Sequence, residues 1–174
     1  MFGSLFAVMF FGFATGGGNS VKYHEFKIIN RGQYLAVKID SREAMFSYYP
    51  ADLESISVDN SAIELLKGKI QIDSTSEFNS TLSEAIALIQ YQMGITMDNF
   101  DVFIRNGFTK ENEANAPVIN CSQSSQFVPV IYFKQSNETK IYLEDSCIIA
   151  EAVNAREISM VKDRLVYGMF GIMN

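Results

Sequence analysis

The sequence predicts an α+β protein, an antiparallel sheet packed by two or three helices behind an N-terminal apolar segment. Three observations carry that expectation. Residues 1–18 hold no charged side chain and end in Gly16-Gly17-Gly18. Beyond Lys22 the chain alternates apolar and polar residues in short runs, as half-buried strands do. Between those runs lie segments whose apolar residues recur every three or four positions, the spacing of one helix face.

The glycine run divides the chain into residues 1–18, an apolar leader or a membrane or assembly helix, and residues 19–174, read as one α+β domain. The whole chain has 174 residues, so the part after the leader is long enough to bury a core of its own. The densest apolar run, Leu5–Ala14, has the length of a signal-peptide core and is too short alone to cross the roughly 30 Å hydrocarbon layer. No Lys or Arg precedes it. That leaves a trimmed export leader, an apolar helix packed inside an assembly, or an interior core segment.

The first two strands are read at Val21–Ile28 and Gln33–Ile39, joined through Asn30-Arg31-Gly32 as a hairpin. A third, Ala44–Tyr49, stops at Pro50, which removes a ladder donor. The three make an antiparallel meander carrying Tyr23, Phe26, Tyr34 and Phe46. Asn60 caps a short helix over Ser61–Lys67 that Gly68 closes, and Thr81 with Glu84 makes a capping box for a longer one. In that helix Leu82, Ala85, Ile86, Ile89 and Met93 share a face, and Gly94 takes the terminating position. Between the two helices, Lys69–Asp73 alternates like a short strand.

Phe100–Arg105 is the next strand, ended by Asn106-Gly107, and the polar run Thr109–Ala116 reads as an exposed, mobile loop. Strands at Phe127–Phe133 and Thr139–Glu144 bracket Lys134–Asn137 as a hairpin, Pro129 marking an edge position or a strand start. Cys147–Ala150 adds a further strand. The last element is an amphipathic helix with Asn154 and Glu157 as its capping pair and Ile158, Val161, Leu165, Met169 and Ile172 on one stripe. Its final turn, Tyr167–Met173, is apolar nearly all round, a surface either buried between layers or docked on a partner.

Acidic residues outnumber basic ones by 20 to 14 and no Lys/Arg cluster offsets them, so nucleic acid is not an expected partner. An apolar content of 48% against 20% charged residues fits a folded domain. Three sequons occur, at Asn79, Asn120 and Asn137, each without proline at its middle position, and they are candidate glycosylation sites of an exported chain. Cys121 and Cys147 are the only cysteines and flank the expected hairpin. In an oxidising compartment they form one disulfide; in a reducing one they are two buried thiols. The bridge would close a loop of about 27 residues and stabilise the fold by about 3.5 kcal/mol on the chain-entropy account.

Catalytic constellations are absent at diagnostic spacing. His24 is the only histidine and sits in an expected strand beside Glu25, which rules out a multi-histidine metal site and leaves it a structural or surface role. The pairs Glu144-Asp145 and Glu111 with Glu113 lack the alternating ligands and turn glycine of a calcium loop, and Asp163-Arg164 reads as a solvated ion pair. No phosphate-binding glycine loop, nucleophile elbow or Cys-x-x-Cys is present, so no cofactor is expected.

Two stretches resemble segments of small archaeal exported proteins. One runs from Val128-Pro129-Val130-Ile131-Tyr132-Phe133 through Asn137-Glu138-Thr139 to Cys147-Ile148-Ile149, the other from Lys162-Asp163-Arg164-Leu165-Val166-Tyr167-Gly168 through Gly171-Ile172-Met173. The resemblance covers about the last third of the chain. It implies location and lineage, with no activity and no site residues to carry over. The expectation is a non-catalytic exported domain, at the cell surface or anchored in a membrane, acting in binding or assembly. Its partner would be a protein, a second copy reached through the apolar segment, or the membrane. The alternatives are a filament subunit whose apolar segment lies in the fibre core, and an exported thiol-disulfide enzyme using Cys121 or Cys147.

Overall fold

The computed structural model describes residues 19–174; the apolar segment, residues 1–18, lies outside the described residues, and so do the readings placed on it. Strands β1 (Ser20–Tyr23), β2 (Phe26–Asn30), β3 (Leu35–Ile39) and β4 (Arg42–Phe46) form an antiparallel four-stranded meander in that order. It follows the alternation of the sequence with one change. The run Val21–Ile28 is two strands, because His24 and Glu25 make a two-residue turn that pairs Tyr23 with Phe26. A two-residue turn leaves a period of two in phase, so the sequence reads through it as one strand. His24 takes a φ of +50° there and is an exposed turn residue.

The second sheet departs from the expected antiparallel one. Strands β5 (Ser57–Val58), β6 (Gln71–Ser76), β7 (Phe103–Phe108), β8 (Val130–Gln135), β9 (Lys140–Glu144) and β10 (Cys147–Ala152) stand in the order β5-β9-β10-β8-β6-β7. β7, β6, β8 and β10 run parallel to one another, and β9 and β5 run against them. The hairpin expected between β8 and β9 does not form. β10 inserts between them, pairing Ile148 with Ile131 in parallel and with Leu143 antiparallel. Its sequence, Cys-Ile-Ile-Ala-Glu-Ala, is buried along its whole length, as a central strand covered on both faces must be. Pro129 lies just before β8, an interior strand, so it marks a strand start and not an edge.

Helices α1 (Asn60–Leu66), α2 (Ser83–Asp98) and α3 (Ala155–Met169) supply the helical layer. The cap of α1 is Asp59, which accepts from the Ser61 N–H at 2.9 Å, and Asn60 is the first helical residue. The capping box expected at Thr81 and Glu84 is not made. Thr81 spends its hydroxyl on Gln135, and Ser80 Oγ accepts from the Leu82 N–H at 3.1 Å instead. Nor does α2 stop at Gly94. It runs on to Asp98 because burying Thr96 and Met97 outweighs the roughly 1 kcal/mol helix penalty of an interior glycine. α3 is capped as its sequence indicates, Asn154 Oδ1 accepting from the Glu157 N–H at 3.0 Å.

α3 is buried on two sides. Ile158, Val161 and Leu165 join a core with Ile131, Phe133 and Ile148 of the larger sheet. Phe46 of β4 stacks flat on Tyr167, ring centroids 3.6 Å apart, from the smaller sheet. Asp163 and Arg164, read from the sequence as a solvated pair, are instead 0% and 5% exposed. Ile172 and Met173 are buried, the first of the two fates expected for the apolar C-terminal turn. Among the described residues no helix is long and apolar enough to cross a membrane.

Candidate functional site

In the larger sheet, β6 feeds α2 and continues to β7 on one side, while β8 feeds the loop 136–139 and continues to β9 on the other. The chain therefore leaves two neighbouring parallel strands in opposite directions. In open sheets with parallel strands, a crevice opens beyond the carboxyl ends at such a switch point, because no connection crosses over it. A cavity of about 530 Å³ lies there, walled by Glu77 and residues 79–81 leaving β6 and residues 132–137 ending β8.

Tyr132 and Glu77 join the two walls: the phenol donates to Glu77 Oε1 at 3.0 Å. Burial, and then the hydrogen bond and charge of Glu77, push the Tyr132 pKa up to about 12. A second link joins the Thr81 hydroxyl and Gln135 Oε1. The only lysine in the lining, Lys134, is turned to other work. Its Nζ pairs with Glu151 at 3.1 Å and lies 5.9 Å from the centre of the Tyr132 ring.

Glu151 organises the outward face of the sheet beside the crevice. Its carboxylate, 6% exposed, accepts from Lys134 and from the Tyr142 phenol at 3.2 Å, with Lys140 Nζ at 3.6 Å. Burial raises the Glu151 pKa, but the Lys134 hydrogen bond and charge, with Tyr142 and Lys140, more than reverse that and hold it below the usual carboxylate range. The cluster is internally neutralised and positions Lys134 without leaving a free charge toward the crevice.

A larger cavity, about 640 Å³, lies across the loop 136–139, between the start of β9 and the first turn of α3. Part of its polar lining is engaged within the protein. Glu157 accepts from Thr139 and Asn154, and Lys140 pairs with Glu138 at 2.9 Å. Asn137 lines both cavities, and the loop Thr109–Ala116 lines neither.

The site residues expected from sequence fall in two places. Cys121 and Cys147 are bonded, their Cα atoms 5.2 Å apart, on the outward face of the larger sheet. Cys147, 1% exposed, packs with Ile119, Val130 and Ile149, so the bridge pins the segment around Ile119 over that face. Gly107 makes room for the segment's approach; a Cβ at that position would lie 2.3 Å from the Pro117 carbonyl oxygen. Of the three sequons, Asn79 and Asn137 stand exposed on the lining of the crevice, and Asn120 lies beside the bridge, half-buried, its side chain accepting from the Ser122 N–H at 3.1 Å. The structure thus brings together two of the three sequon asparagines, which are 58 residues apart in sequence.

Sequence reasoning missed Tyr132, Glu77 and Gln135. A lone Tyr in an alternating strand carries no signal, and their proximity depends on β6 and β8 being neighbours, a pairing between strands distant in the chain. Glu144-Asp145 and Glu111 with Glu113 are exposed. Among the described residues no three His, Cys, Asp or Glu side chains gather at metal-binding distance. Compared with protein-family models, curated proteins and solved structures, the chain matches none.

Proposed function

We propose that the chain is an exported domain, displayed at a cell surface or anchored in a membrane, that acts by binding or assembly, with the crevice between β6 and β8 as its ligand site. The observation that carries the exported reading is the Cys121–Cys147 bridge, because disulfides persist in oxidising compartments and are rare where glutathione keeps thiols reduced. The bridge joins a segment to a central strand inside an apolar cluster. Cys147 is 1% exposed and Cys121 half-buried, and the burial of Cys147 supports a structural disulfide over a thiol-disulfide enzyme working through that sulfur, which must be reachable by a second thiol.

The crevice supports binding because it is concave and its polar side chains come from two separate segments. Assembly remains assigned to the charge-free residues 1–18, as the protein-facing or membrane-facing part of the chain. Protease treatment of intact source cells tests location. Degradation of the folded domain without lysis is the expected result; full protection until lysis would overturn the surface reading.

A further inference from the structure

We infer that the crevice takes a neutral, hydroxyl-rich ligand, a saccharide, an inference that rests on the proposed binding role and names its ligand class. Its lining is dominated by groups that both donate and accept: the carboxamides of Asn79, Gln135 and Asn137 and the hydroxyls of Ser80, Thr81 and Ser136. The Thr81 hydroxyl and Gln135 Oε1 bond each other and Ser80 Oγ accepts from the Leu82 N–H. That leaves the carboxamides of Asn79 and Asn137, the Gln135 amide nitrogen and the Ser136 hydroxyl to pair vicinal sugar hydroxyls, which also donate and accept at fixed spacing. Tyr132 is half-buried in the wall, its phenol held by Glu77 and the Lys134 ammonium over one side of its ring, so a pyranose would pack its C–H face on the part of this amphipathic side chain that remains exposed.

Charge argues against the other small-ligand classes. An anion would meet Glu77 in the wall, while Lys134 is committed to Glu151. Ser80 already accepts from the Leu82 N–H through its hydroxyl and from the Ser83 N–H at 3.0 Å through its carbonyl, so part of that helix start is closed to a phosphate. A cationic ligand would find one exposed carboxylate, Glu77, opposite a lysine. Asn79 and Asn137 stand in the same lining, so a glycan attached to either would lie across the mouth and compete with a free sugar.

The test uses the full chain, isotopically labelled and made in a host that does not modify sequons. Amide chemical shifts are followed on separate addition of neutral oligosaccharides built from glucose, mannose, galactose and N-acetylglucosamine, of inorganic phosphate, and of a lysine-containing peptide. The expected result is that at least one oligosaccharide shifts amides of residues 77–81 and 132–137. Tyr132→Ala or Gln135→Ala then weakens that sugar by at least about tenfold, and Tyr132→Phe, which keeps the ring, by much less. Crevice shifts with phosphate or the peptide but with none of the sugars would overturn the saccharide assignment and leave the binding role standing. Shifts confined to other regions, or none with any probe, would overturn the assignment and the crevice as a ligand site together.

Discussion

Asp163, wholly buried on α3, accepts from the backbone N–H of Ser47 at 2.7 Å, and its same oxygen accepts from the Tyr48 N–H at 2.8 Å. These two donors lie just past the end of β4, where the chain leaves the smaller sheet and has no ladder partner for them. The other carboxylate oxygen pairs with Lys162, itself 3% exposed. One side chain therefore ties the last helix to the smaller sheet and neutralises a buried ammonium. Four residues on along the chain, α3 adds the Tyr167 phenol, donating to the Tyr48 carbonyl at 2.9 Å.

Asp163→Ala is predicted to cost about 3–5 kcal/mol, because it strands the buried ammonium and two backbone donors together. Tyr167→Phe removes one hydrogen bond and leaves the ring stacked on Phe46, so its cost is about 1 kcal/mol. Urea unfolding of the two variants checks the order. Near-equal midpoints would contradict it.

This anchor was only partly legible in the sequence. The apolar stripe of α3 and its Asn154 cap follow from spacing, and both are present. The triplet Lys162-Asp163-Arg164 carries the opposite signal, since three charged residues in a row normally mark a solvated face. They are buried because a second sheet covers that face, and the sheet is contributed by residues more than a hundred positions earlier. The same limit hid the crevice. Local alternation gave the strands, but only the insertion of β10 between β8 and β9 sets the strand order that opens it.

The disulfide is predicted to contribute about 3.5 kcal/mol, from closing a 26-residue separation in the unfolded chain. Cys147→Ala should lower the thermal midpoint, and reductant should do the same to the parent protein. A midpoint unmoved by reductant, with the thiols shown to be free, would contradict the prediction.

Tyr132 gives an alkaline signature. Its folded pKa of about 12 lies above the ordinary tyrosine value of 10.0, so its contribution to stability is fully present below that ordinary value and is lost as pH rises toward 12. Spectrophotometric titration should show a late phenolate in the parent protein that disappears in Tyr132→Phe. An unchanged titration curve in the variant would refute the buried, Glu77-bonded phenol.

Glu151 gives the complementary acid signature. Its folded pKa is depressed, so its contribution is present above the unfolded carboxylate value and is lost as pH falls through the lowered folded one. Glu151→Gln should reduce stability at neutral pH, with a smaller difference from the parent in acid. A constant difference between the two proteins across the acid range would count against the Lys134–Glu151–Tyr142 cluster.

The central claim is that the chain is an exported domain held by a structural disulfide, and thiol-blocked intact mass of the natively isolated protein tests it most directly. A chain that, blocked under denaturing conditions, takes up no reagent before reduction, and takes up a label at both Cys121 and Cys147 after it, is the predicted result. Two thiols labelled in the denatured but unreduced protein would contradict it.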